Sequence, residues 1–81
     1  MIERLLSIPA DYTFDEAKTL LNHLGFDQSN KGKTSGSAVK FYRPSDGAVI
    51  MFHKPHSPEI LKRYIVKDII QTLKEKGDIN G

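Results

Sequence analysis

The run from Ser37 to His56, SAVKFYRPSDGAVIMFHKPH, constrains the fold more than any other stretch. Two segments rich in β-branched and aromatic residues flank Pro44-Ser45-Asp46-Gly47, whose composition and order are those of a turn. The chain is therefore predicted to double back as an antiparallel hairpin. In the first arm, expected over residues 37–42, alternation puts Val39 and Phe41 on one face and Lys40 and Tyr42 on the other, with Arg43 at that second face's rim. The second arm, residues 48–53, is apolar without a break through Val49, Ile50, Met51 and Phe52, which predicts the central or most covered strand of the sheet. Prolines at 55 and 58 end it.

A lone hairpin is marginal in water, so the flanking chain must cover one of its faces. Thr13-Phe14-Asp15-Glu16 is a capping box, and Phe14, Ala17, Leu20, Leu21 and Leu24 follow at helical spacing until Gly25. A second helix is predicted between Lys62 and Lys76, where Ile65, Ile69 and Leu73 recur every four residues before Gly77. Ser57-Pro58-Glu59 offers an N-cap, N1 and N2 from which a helix can open earlier. Residues 26–30 suit a short first strand, Ile2 to Leu6 a single turn folded back on the domain, and the Gly/Ser/Lys-rich residues 30–37 a flexible loop. The order α-β-β-β-α predicts an α+β two-layer sandwich, with both helices on one face of a three-stranded antiparallel sheet and the other face open.

Eighty-one residues close only one core, so a single domain over 1–81 is expected, with a short N-terminal segment 1–12 and a flexible end 78–81. There is no cysteine, which removes disulfides, thiolate nucleophiles and cysteine-ligated zinc. No apolar run approaches the ~20 residues that cross a bilayer, and the expectation is a soluble, cytoplasmic protein without a membrane partner.

The formal charge of +2 hides an asymmetry. Residues 28–67 carry eight basic side chains (Lys31, Lys33, Lys40, Arg43, Lys54, Lys62, Arg63, Lys67) against Asp46 and Glu59, whereas residues 1–27 carry five acidic against two basic. A concentrated positive segment attracts polyanions by steering and counterion release, so the expected partner is nucleic acid or an acidic protein. The alternative is a solvated lysine-rich surface.

Gly36-Ser37 opening the second strand, His56 closing the third, Glu59-Ile60 and the terminal helix from Ile65 to Leu73 together resemble the HicA toxins. The likeness extends over about residues 13–77. It implies a fold like that of the double-stranded-RNA-binding domain, metal-independent cleavage of mRNA with no cofactor, and neutralisation by a HicB antitoxin. One departure is evident: the family's catalytic histidine follows the Gly-Ser directly, and here Ala38 and Val39 stand there. The family's Pro-x-His is replaced by Lys54-Pro55-His56, with His53 added upstream.

The candidate catalytic residues are His56 and His53. An imidazole can act as acid or base near neutral pH, and a ribonuclease needs such a pair to deprotonate a 2′-hydroxyl and protonate the leaving 5′-oxygen. The same histidines can instead bind phosphate without catalysis, or serve the structure. Lys54 would stabilise a charged phosphate, and Lys31, Lys33, Gly36, Ser37, Lys40, Tyr42 and Arg43 complete the candidate RNA-binding set, Tyr42 by stacking on an unpaired base. His-x-x-His on an extended chain sends its rings to opposite faces, so no metal site is assigned. Residues 30–37 lack the spacing of a nucleotide-binding P-loop, and His23, mid-helix, reads as a surface residue. The rival to a ribonuclease is a catalytically silent module of the same fold that binds RNA or an acidic protein.

Overall fold

The computed structural model describes residues 2–29, 38–55 and 58–79. The expected order is found, with one short helix ahead of it: α1 (Ile2–Leu6), α2 (Phe14–His23), β1 (Asp27–Ser29), β2 (Ala38–Arg43), β3 (Ala48–His53) and α3 (Arg63–Glu75). The strands form one antiparallel sheet in the order β1-β2-β3. Its inner face carries Val39, Phe41, Ile50 and Phe52, all buried beneath the helices. Phe14 of α2 meets Phe41 and Phe52 with ring centroids 6.4 and 6.1 Å apart, while Phe41 and Phe52 stack at 6.0 Å. Ile65, Val66, Ile69, Ile70 and Leu73 supply the buried stripe of α3. Leu5 of α1 is fully buried, which ties the N-terminal turn into the same core.

The capping box holds α2 at its start. The Thr13 hydroxyl oxygen accepts from the Glu16 amide at 3.1 Å, and the Thr13 amide donates to Glu16 Oε1 at 3.1 Å. Arg4 of α1 donates to the same Glu16 carboxylate and to Asp11, and this guanidinium holds the Glu16 carboxyl below the usual range.

Four expectations are corrected. β3 is not the covered strand: β2 lies between its neighbours, and β3 alternates, with Ala48, Ile50 and Phe52 buried and Val49, Met51 and His53 exposed. An unbroken apolar run does not reveal whether a second layer exists to cover its outer side. The second helix does not open near Pro58, because Ile60 forms an antiparallel bridge with Thr13; the Phe14 amide donates to the Glu59 carbonyl at 2.9 Å and the Leu61 amide to the Tyr12 carbonyl at 2.7 Å. With that backbone engaged, α3 starts at Arg63 behind Lys62, which makes no side-chain cap. Arg43 is not at the rim of the open face but is 6% exposed on the inner side, since the strand runs one residue further than expected and parity turns position 43 inward. Finally, Asp78 and Ile79, expected within a flexible end, are docked: Ile79 is buried and Asp78 accepts from Arg43.

Candidate functional site

Register fixes what the open face displays. Tyr42 lies between Asp27 and Val49, Lys40 between Ser29 and Met51, and Ala38 opposite His53. Cross-strand partners share a face, so these residues form three rows on the side away from the helices. Tyr42, Val49 and Met51 are large apolar groups left in water, Met51 at 64% exposure. Lys40 and His53 are also exposed, and Asp27 contributes the one carboxylate of these rows.

Of the residues singled out by sequence, Lys40, Tyr42 and His53 therefore share one surface. Lys54, next along the chain, turns the other way: its ammonium sits 5.0 Å over the Phe14 ring and 3.3 Å from Glu59 Oε2. Lys31, Lys33, Gly36, Ser37 and His56 lie outside the described residues.

Arg43 is committed elsewhere. Its guanidinium donates to Asp46 Oδ1 and Oδ2 at 3.0 and 2.7 Å, to Asp78 Oδ1 and Oδ2 at 2.9 and 2.7 Å, and to the Leu24 carbonyl at 3.2 Å. It also lies 4.6 Å from the Phe26 ring centroid. Hydrogen bonds from Arg43 hold the Asp46 carboxyl below its ordinary range, and the two carboxylates raise the arginine further above its own. Gly25 stands beside this cluster at φ +96°, and a Cβ there would come within 3.4 Å of Arg43 Cδ. Within residues 28–67, the positive charge that the described residues leave open is thus carried by Lys40 and, around the start of α3, by Lys62, Arg63 and Lys67.

Two of the surface cavities are lined by described residues. The larger, about 400 Å³, is lined by Arg4, Tyr12, Asp15, Glu16 and Thr19. Among the described residues its one cation, Arg4, is already paired with Asp11 and Glu16, so a polyanion would meet carboxylates there. The smaller, about 270 Å³, lies where β3 ends and α3 begins, between His53, Lys54 and Pro55 on one side and Ile60, Lys62 and Tyr64 on the other. Sequence reasoning counted Lys62 only within the basic segment and assigned no role to Tyr64. The available signal was Tyr64 itself, an aromatic residue one position off the Ile65, Ile69, Leu73 stripe and hence pointing out of the core. Val49 and Met51 were missed for a related reason: the four-residue turn after Arg43 sets them beside Tyr42 and Lys40, a register that composition alone does not give.

No helix among the described residues is long and apolar enough to cross a membrane. No curated protein and no solved structure matches the chain significantly. A family model does, that of the HicA toxin of bacterial toxin–antitoxin systems, over residues 14–75. That span takes in the helices and strands from α2 to α3, the whole sheet included. With the predicted order of elements, the open sheet and this match all agreeing, the chain belongs to the HicA toxin family.

Proposed function

We propose that the chain is an mRNA interferase that binds RNA on the open sheet face and cleaves it without a metal ion, His53 supplying a catalytic imidazole. The observation that carries this reading is the pairing of Ala38 with His53. The family resemblance implies a histidine directly after Gly36-Ser37, where this chain has Ala38. Directly opposed residues of an antiparallel pair face the same way with Cβ atoms roughly 4.5–5.5 Å apart, so an imidazole on residue 53 reaches the region that one on residue 38 would serve. On this reading the imidazole changes strand but stays on the same surface.

In the reaction a base removes the 2′-hydroxyl proton, that oxygen attacks phosphorus, the bond to the 5′-oxygen breaks, and an acid protonates the leaving oxygen. The products are a 2′,3′-cyclic phosphate and a 5′-hydroxyl end. His53 takes one of the two proton-transfer roles and His56 is the candidate for the other. Lys40 positions the phosphate backbone from the neighbouring strand, and Lys54 stabilises charge at phosphorus once RNA competes with Glu59 for it. Cleavage of RNA in EDTA tests this. His53→Ala is expected to lower the rate by roughly 100- to 10,000-fold, and adding Ala38→His to that variant to restore part of it. An undiminished rate in His53→Ala overturns the assignment.

The same face suits a HicB-like antitoxin acting in the cytoplasm. Tyr42, Val49 and Met51 would form the apolar centre of the interface and Lys40 its charged margin, so that the antitoxin occludes the surface that meets RNA. Simultaneous, mutually indifferent binding of RNA and antitoxin would exclude occlusion. Lys31 and Lys33 contribute as well: Lys31→Ala/Lys33→Ala/Lys40→Ala should flatten the dependence of log K on log salt, and an unchanged slope removes these lysines from the interface. Ala38 also favours a second reading, a catalytically silent module that binds RNA or protein. An intact chain that binds varied RNAs and cleaves none of them would decide for it.

A further inference from the structure

We infer that the cavity between the end of β3 and the start of α3 holds one unpaired nucleotide of a single-stranded RNA. This rests on the reading of the protein as an RNA binder and names the form of RNA that its site takes. The cavity combines the features that such a group requires. Pro55, Ile60 and the buried Ile65 give it an apolar floor. Tyr64, 61% exposed, offers a ring face on which a base can stack. Among the described residues, Lys62 stands at the edge with no carboxylate paired to it and no acidic residue lines the cavity, the nearby Glu59 being paired with Lys54. His53 belongs both to this cavity and to the open face, so a nucleotide seated here places the adjoining phosphate beside the imidazole.

Size and shape limit the occupant. At about 270 Å³ the cavity falls just below the roughly 300 Å³ at which pockets for drug-sized ligands begin, which suits a single nucleotide and not two. A base inside an A-form duplex is stacked and paired, and its edges lie in a shallow groove or a deep narrow one. Only a base splayed out of a single strand can enter a cavity and lie against an aromatic ring. The order along the strand would then be a captured base in the cavity, the scissile phosphate at His53, and the following chain across Lys40 and Tyr42.

The test uses the intact chain with adenosine 5′-monophosphate, uridine 5′-monophosphate and inorganic phosphate as probes, followed by amide NMR. The nucleotides should shift resonances at 53–55 and 60–65, and phosphate alone should do so much more weakly. In parallel, Tyr64→Ala should weaken binding of a single-stranded oligonucleotide by about tenfold or more, leave a duplex of matched length nearly unaffected, and be rescued by Tyr64→Phe. Unchanged single-strand affinity in Tyr64→Ala, with shifts confined to the sheet face, overturns the cavity assignment while RNA binding by the sheet stands. Absence of RNA binding by the parent chain overturns both. Cavity resonances that respond to the antitoxin and to none of the nucleotides also overturn it, in favour of a protein side chain as occupant.

Discussion

At the turn end of the β2–β3 hairpin, Arg43 is enclosed by Asp46, Asp78, the Leu24 carbonyl and the Phe26 ring. At the other end, His53 stands in water opposite Ala38 and next to a cavity edged by Lys62 and Tyr64. Both ends come from the same two strands and the same basic segment. They differ in parity and in what the rest of the chain brings to them. Position 43 faces inward, where a bare guanidinium would be costly, and two carboxylates accompany it. Position 53 faces outward, where an unpaired group costs little and can meet a ligand. A count of basic residues over residues 28–67 treats the two ends alike, although only one of them has charge to offer a polyanion.

The sharpest way to break this contrast is to measure rate and stability together. His53→Ala should lose roughly 100- to 10,000-fold in cleavage while its stability stays within about 0.5 kcal/mol of the parent, read by denaturant titration. A comparable loss of stability would mean that His53 serves the fold. Arg43→Ala should do the reverse. Removing one partner from a buried ion pair costs roughly 3–5 kcal/mol, and about 3 kcal/mol is expected here because Asp46 and Asp78 keep some contact with water. The fraction that remains folded should bind RNA with the parent's salt dependence, and a flattened slope would return Arg43 to the interface.

How far the sequence could anticipate this contrast follows from the range of each interaction. The capping box at Thr13, the helical stripe at Ile65, Ile69 and Leu73, and the alternation through Val39 and Phe41 involve neighbours within one element, and all three are found as expected. The covered or uncovered state of β3 depends on the neighbours of the sheet as a whole. The fate of Arg43 depends on Asp78, 35 residues away, and the proximity of Ala38 to His53 on a register fixed by the turn. Such partners leave no local periodicity, so the parts of the site that depend on them could not be read before the chain was folded.

Two smaller effects sharpen the comparison further. Lys40→Ala on the open face should reduce the slope of log K against log salt by about one, the loss of one phosphate contact, with stability again within about 0.5 kcal/mol. An unchanged slope would leave Lys40 outside the RNA path. At the enclosed end, Asp46 has its carboxyl held below the usual range by Arg43, so its contribution to stability is complete above the ordinary aspartate pKa of about 3.9 and is lost as pH falls through the lower folded value. Asp46→Asn should therefore be less stable than the parent at pH 7, and the difference should shrink below about pH 4. A difference independent of pH would show that the carboxylate's charge is not what matters.

The position of Asp78 has a bearing on kinetics. It follows α3, so its bonds to Arg43 close only after the last helix has docked on a hairpin whose two strands are joined by four residues. Contacts that local chain forms early belong to the folding nucleus, whereas one that waits for the final element is absent from the transition state and contributes little to the folding rate. The pairing of Asp78 with Arg43 thus acts as a late latch. Its loss should appear almost entirely as faster unfolding, so that the latch governs how long a folded molecule lasts and leaves the time it takes to form nearly unchanged.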